Sequence, residues 1–144
     1  MSLKDMDLQR INYLAVVAAA VAAMAIGAVW YSPAVFGTIW LNLSGVSPEA
    51  AAAGAAQAYS WAFAVALVTA FALALVIDWT QGESWRCGAL IGVVAWLGFS
   101  ATTRAYGVIF AGRSSALFFL DTGYDLASYI TMGAILGGWR KKRA

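Results

Sequence analysis

The sequence predicts an all-α integral membrane protein: a bundle of four transmembrane helices with a short interfacial helix after the first span. Hydrophobic residues make up 62% of the chain and charged residues 11%, whereas soluble domains have about 45–50% apolar and 25% charged residues. No charged residue lies between Arg10 and Glu49. Because one crossing takes about 20 residues, a chain of 144 residues holds four crossings and short loops. We therefore expect residues 1–144 to form a single membrane domain.

Four apolar segments predict the spans. The first, residues 11–31, is uncharged, and the second, residues 57–77, follows a helical run-up that begins at Ser47-Pro48-Glu49, a cap, a first-turn proline and an acid. The third covers residues 85–109 with Arg104 near its end. The fourth covers residues 122–139 with Asp125 near its beginning.

The first segment has a competing interpretation as a cleaved signal peptide. Ala23-Met24-Ala25 imitates the small-residue cleavage site of such peptides. The apolar stretch exceeds the usual h-region of about 7–15 residues, however, and Lys4 and Arg10 are offset by Asp5 and Asp7. We expect the segment to be retained as a span.

An aromatic bend follows the first span. Pro33 ends the helix, and apolar side chains then recur at helical spacing, which predicts an interfacial helix over residues 34–44. The residues of the bend are Trp30, Tyr31, Pro33, Phe36 and Trp40. One interpretation is a lid over a cavity between the helices. The other, which we favour, is a structural belt with tryptophan rings at headgroup level.

The distribution of basic residues predicts the orientation. In the four-span arrangement one face carries only Arg104 and Arg113, and the other carries seven basic residues: Lys4, Arg10, Arg86, Arg140, Lys141, Lys142 and Arg143. The positive-inside rule then places both termini in the cytoplasm. The terminal cluster 140–143 is either a topology anchor against anionic headgroups, which we favour, or a docking site for an acidic partner.

The two halves of the chain have similar layouts. The outer connection from Phe110 to Gly123 has an aromatic-rich middle and a polar exit with glycine, as does the segment after the first span. Each half would then consist of a span, an outer apolar loop and a span, which is consistent with a parallel duplication.

Small residues predict how the helices pack. Gly88 and Gly92 form one G-x-x-x-G motif, and Gly133 and Gly137 form a second. Residues of this size four apart allow helix backbones to approach closely in a membrane. Packing within the bundle is the favoured interpretation, and a dimer interface is the alternative.

Polar residues gather at the outer ends of the last two spans, where the candidate cluster is Arg104, Asp121, Tyr124 and Asp125. Asp121 and Asp125 are four residues apart, so both lie on one helix face, near an N-terminus whose dipole favours anions. Ionisable groups at membrane depth are usually paired. We expect a structural Arg104–Asp125 ion pair; a polar pocket for a headgroup or a proton is the alternative.

The residue inventory argues against an enzyme. The chain has no histidine and one cysteine, so it lacks the commonest general base and metal ligand and cannot form an internal disulfide or a thiolate cluster. We expect no catalytic, cofactor-binding or metal-binding residues. The net charge of +2 is too small to indicate nucleic-acid binding.

Several stretches resemble one bacterial family. Asn12-Tyr13, the run from Gly27 to Trp40, the run from Gly88 to Thr103, Gly123-Tyr124 and the run from Gly133 to Trp139 together look like the domain-of-unknown-function family numbered 1761. This resemblance covers most of the chain. It implies a small four-span inner-membrane protein, and it carries over no functional residue.

Two classes of function remain open. The favoured one is a structural or accessory membrane component that packs through its small-residue faces against itself, as a homo-oligomer, or within a larger membrane complex. The alternative is a carrier or binding protein for a small lipophilic molecule or ion held between the helices. A filled interior favours the first, and a cavity lined by aromatic residues favours the second. These residues are Trp30, Tyr31, Trp96, Tyr106 and Tyr124.

Overall fold

The computed structural model describes residues 8–82 and 84–140, and all regular structure in these ranges is helical. After a 3₁₀ turn at Leu8–Arg10 come α1 (Tyr13–Trp30), α2 (Gly37–Ser44), α3 (Pro48–Trp79), α4 (Trp85–Ala95), a π-helical turn (Trp96–Ala101), α5 (Thr102–Ala111) and α6 (Ser115–Gly138). The π turn joins α4 to α5 without a break, and we call the continuous helix Trp85–Ala111 the third long helix. Residues 8–82 and 84–140 therefore contain four long helices and the short α2.

Polar side chains fix where the long helices begin. Asn12, Ser47, Ser84 and Ser114 each accept a hydrogen bond from the backbone N–H three residues later. Such caps satisfy amide groups that have no partner in the first turn of a helix. The predicted run-up before the second span is accordingly part of α3, which starts at Pro48 and runs for 32 residues.

Two predicted boundaries differ from the structure. The outer connection was expected to reach Gly123 and the fourth span to begin at residue 122, but α6 begins at Ser115 because Ser114 caps it. Only residues 112–114 connect α5 to α6, so the two halves do not share the span, apolar loop and span layout. The interfacial helix, expected from residue 34, begins at Gly37 after a tight turn.

Three helices are long and apolar enough to cross a membrane by length and composition: Tyr13–Trp30, Pro48–Trp79 and the continuous Trp85–Ala111. The fourth long helix, α6, is not among them. Its polar residues explain why, since Thr122, Asp125 and Ser128 lower its hydropathy and are all buried. Helix α6 therefore hides its polar face inside the bundle, where it packs against α1, α2, α3, α4 and α5.

The α4–α6 contact is a seam of backbone against backbone. A Cβ atom added to Gly88 would overlap the Gly133 carbonyl, and one added to Gly137 would lie 2.9 Å from the Gly88 Cα. Gly92 meets the Tyr129 carbonyl in the same way. The structure thus brings Gly88, Gly92, Gly133 and Gly137 together within one chain, and their motifs serve packing inside the bundle.

The two described ends of the chain meet. The side-chain amide of Asn12 donates a hydrogen bond of 3.0 Å to the carbonyl oxygen of Trp139. We call this end of the bundle, where α1 begins and α6 ends, the Arg140 end. The opposite end, where α1 ends and α6 begins, is the Arg104 end. Residues 1–7 and 141–143, which carry Lys4 and most of the basic terminal cluster, lie outside the described residues.

Candidate polar site at the Arg104 end

Arg104 on α5 joins both acids of α6. Its Nε and Nη2 atoms donate to the two carboxylate oxygens of Asp125, the second bond measuring 3.2 Å, in a bidentate arrangement. Its Nη1 atom lies 3.7 Å from Oδ2 of Asp121. The carboxylates are 11% and 18% exposed for Asp125 and Asp121, whereas the Arg104 side chain is 41% exposed. One half-open cation therefore pairs with two enclosed anions.

Hydroxyl groups complete the site. Tyr31 donates to Oδ1 of Asp121 at 2.8 Å, and Ser100 donates to Oδ2 of Asp125 at 2.6 Å. Hydrogen bonds to a charged acceptor are shorter and stronger than those between neutral groups. Sequence reasoning placed Tyr31 in the aromatic bend and did not connect it to the acids. It is the residue through which the first half of the chain reaches the cluster.

Two indole rings hold the backbone of α6 at the same level. Trp30 donates to the Leu120 carbonyl at 3.2 Å, and Trp96 donates to the Thr122 carbonyl at 2.9 Å. Tyr124, predicted as a member of the cluster, instead donates to the Ala23 carbonyl at 3.3 Å and stacks edge-on against Tyr31. These aromatic side chains use their polar atoms inside the protein.

The π turn explains how the third long helix supplies so many of these contacts. Gly88, Gly92, Trp96, Ser100 and Arg104 are spaced four apart, and all of them meet α6. In a straight α-helix each step of four residues rotates about 40° past a full turn, so the last of them would face away from the first. A π turn takes more residues per turn and offsets this drift.

The rest of the bend folds around Gly37. A Cβ atom there would overlap the carbonyl of Tyr31, and the Gly37 N–H donates to the Ser32 carbonyl at 2.8 Å. Trp40 packs edge-on against the Tyr31 ring, and Phe36 packs against Trp30. Pro33 is exposed. The bend therefore holds Trp30 and Tyr31 against the start of α6. Neither of the two interpretations drawn from the sequence, a lid or a headgroup belt, requires this contact.

The dipole argument for the acids does not fit the structure. Because α6 begins at Ser115, Asp121 lies in its second turn and Asp125 in its third. The effect of a helix dipole falls off within the first turn. Arg104, Ser100 and Tyr31 hold the two carboxylates instead.

A second ion pair at the Arg140 end was not predicted. Arg140 donates through Nη2 to Oδ1 of Asp78 at 2.6 Å and through Nη1 to the Gly82 carbonyl at 3.3 Å. The sequence did contain a signal for this pair. Asp78 and Arg140 each come directly after a predicted span, and the two spans end on the same predicted side. Sequence reasoning assigned Arg140 only to the terminal basic cluster.

The chemistry of the Arg104 end is that of fixed charges. Within residues 8–82 and 84–140, no three His, Cys, Asp or Glu side chains come close enough to hold a metal ion. One buried hydroxyl, that of Ser128 on α6, has no hydrogen-bond partner among the described residues. The arrangement binds carboxylates and orients helices, and the Arg104 guanidinium is its most open charged group.

These features define a class: a small helical protein of membrane type, organised around a central helix whose polar face is enclosed. The family model "Protein of unknown function (DUF1761)" matches residues 14–137. The chain belongs to this family. No curated protein and no solved structure gives a significant match.

Proposed function

We propose that the protein is a four-span component of the bacterial inner membrane, with a structural or accessory role, that associates through the outer half of α3. The observation that carries this proposal is the contrast between closely packed helix contacts and one long helix, α3, whose first half has no buried residue. In this arrangement α6 is the fourth span, and both termini are cytoplasmic.

The contacts between helices support a structural role. The small-residue seam joins α4 directly to α6, and the core between α1 and α3 contains fully enclosed alanines such as Ala19 and Ala70. The cavities at the two ends of the bundle have volumes of about 20 and 40 Å³. About 10–15 Å³ of such space holds one water, so neither cavity accommodates a substrate of metabolite size.

The exposed half of α3 supports association. Its first buried residue is Ala70. Residues 50–58 are alanine or glycine except Gln57, and larger exposed side chains such as Tyr59, Trp61 and Val65 follow. Ala50, Gly54, Ala58 and Ala62 are exposed and spaced four apart, and a Cβ atom at Gly54 would have nothing within 4 Å. Ala58 and Ala62 fall in the predicted span and Gly54 in the run-up just before it, and small residues at this spacing permit close approach of a second helix.

The test is the oligomeric state of matched glycine variants. Gly54→Leu adds bulk to the proposed contact, and Gly98→Leu adds the same bulk at a second glycine whose Cβ would meet nothing within 4 Å. Native mass spectrometry of the detergent-extracted protein is expected to show an oligomer for the wild type and for Gly98→Leu, and a monomer for Gly54→Leu. A wild-type monomer, or an oligomer that withstands Gly54→Leu, would contradict the proposal.

One observation favours the alternative, a carrier for a lipophilic molecule. An apolar groove of about 420 Å³ lies outside the bend and is lined by Ala25, Ile26, Val29, Trp30, Val35 and Phe36. It opens outward and not between the helices. A small molecule that co-purifies with the wild type and is lost on Val29→Trp would support the carrier. Extraction without such an adduct would support the structural role.

A further inference from the structure

We propose that the cavity beside Arg104 binds the phosphoethanolamine headgroup of a phospholipid. This inference rests on the proposed membrane location, and it is independent of the proposed association through α3. The cavity measures about 40 Å³ and is lined by Arg104, Val108, Arg113, Ser114, Leu117, Phe118 and Asp121.

Two arginine side chains line this cavity. The chain turns back at Gly112, which has a φ of +63°, and the Arg113 N–H donates to the Gly107 carbonyl at 3.1 Å. A Cβ atom at Gly107 would lie 3.0 Å from the Arg113 Cδ, so the stem of Arg113 runs over the α5 backbone one turn from Arg104. Both arginine side chains therefore border the same space.

These groups retain hydrogen-bonding capacity. Arg104 has five N–H donors, of which Asp125 takes two and Asp121 lies near a third. Arg113 makes no ion pair among the described residues. The Ser114 hydroxyl accepts from the Leu117 N–H, which leaves its own proton available. Guanidinium groups are well suited to the oxygens of a phosphate.

Asp121 determines which phosphate-containing headgroup the cavity favours. Its Oδ2 atom lies 3.7 Å from Arg104, beyond hydrogen-bond distance, and its carboxylate lines the cavity. With Asp125 counted as the partner of Arg104, the two arginines and two aspartates balance, and such a site matches a headgroup that carries both an anionic phosphate and a cationic amine. The ammonium of ethanolamine would donate to Oδ2, whereas a choline headgroup has no N–H to donate and a glycerol headgroup has no cation.

Apolar side chains surround the polar groups. Val108, Leu117 and Phe118 line the cavity, and the neighbouring Phe119 is 72% exposed. About 40 Å³ holds roughly three water-sized groups, so the cavity itself takes only part of the headgroup, and the rest of the headgroup and the acyl chains lie outside, against these apolar side chains. This arrangement of a polar cavity with an apolar border distinguishes a lipid from a free phosphate ester.

The test is titration of the detergent-extracted protein with three lipids of identical acyl chains, read by native mass spectrometry. The lipids carry ethanolamine, choline or glycerol headgroups. We expect the ethanolamine lipid to bind about tenfold more tightly than the other two, the change that one charged hydrogen bond produces. Lipid adducts are counted on the monomer, so the outcome is independent of association through α3.

Three variants locate the binding. Arg113→Gln should weaken the binding of all three lipids about tenfold. Asp121→Asn should remove only the preference for the ethanolamine lipid over the other two. Arg86→Gln is the matched control, because Arg86 lies over the Trp85 ring at the start of α4, at the opposite end of the bundle. Equal binding of the three headgroups, unchanged binding on Arg113→Gln, or displacement of the lipid by equimolar free phosphoethanolamine would overturn the proposal.

Discussion

The two ends of the bundle each hold an arginine against aspartate, but the two sites are built differently. At the Arg140 end one cation meets one anion, and their side chains are 21% and 14% exposed. At the Arg104 end one cation serves two anions, and the cation is 41% exposed while the anions are enclosed. The first site is balanced in charge. The second has two anions for the one cation that joins them.

The pair at the Arg140 end joins two helix ends, whereas the Arg104 end is a candidate functional site. Arg140 follows the C-terminus of α6, where a cation is favoured by the helix dipole, and it joins that end to Asp78 in the last turn of α3. Nothing further is needed there. The acids of the Arg104 end depend on hydroxyl groups from two other segments, through Tyr31 and Ser100. Their positions couple the bend, the third long helix and α6.

The largest expected effect comes from removing the two arginines separately. Arg104→Met leaves two enclosed carboxylates without their cation and should lower the free energy of unfolding by about 3 kcal/mol or more. Arg140→Met leaves one carboxylate and should cost about 1.5–3 kcal/mol. Thermal and denaturant unfolding in detergent measures both. Equal losses would remove the distinction between the two ends.

The next largest effect on the free energy of unfolding is expected from the glycine seam between α4 and α6. Gly133→Ala places a methyl group against the Gly88 carbonyl and should destabilise the bundle by about 1–3 kcal/mol, as overpacking does. Gly98→Ala is the control, since its Cβ would meet nothing within 4 Å. The same unfolding measurement applies. If the two variants were equally stable, backbone contact between α4 and α6 would not hold the ends in place.

A smaller effect is expected from the bend. Tyr31→Phe keeps the ring contacts with Trp40 and Tyr124 and removes only the hydrogen bond to Asp121. It should cost about 1.5 kcal/mol, the lower end of the range for one hydrogen bond to a charged group. In an Arg104→Met background the loss should change, because residues in one network are not additive. Identical losses in both backgrounds would show that Tyr31 acts outside the cluster.

The sequence predicted the helices well and the contacts between them partly. Charge-free stretches and caps such as Ser47 located α1, α3 and the third long helix, because hydropathy and capping act locally. The partner of Arg104 followed from the need to pair a charge in a membrane. The start of α6 was missed because an apolar stretch such as Leu117-Phe118-Phe119-Leu120 resembles an interfacial loop as much as a helix.

Other features depend on geometry that local patterns do not contain. The contact of Tyr31 with Asp121 joins residues 90 positions apart, and it exists only because Gly37 tightens the bend. The pair Asp78–Arg140 requires α3 and α6 to end side by side. The π turn leaves no signal in the amino-acid composition. Its one trace in the sequence is that the residues that contact α6, from Gly88 to Arg104, recur at every fourth position.

The central claim is that α6 crosses the membrane with its polar face enclosed, although its hydropathy alone does not mark it as a span. Reporter fusions at the N- and C-termini, assayed for activity in the cytoplasm and outside it, test this claim most directly. Four crossings predict that both reporters are active in the cytoplasm. Reporters on opposite sides, as three crossings require, would contradict the account.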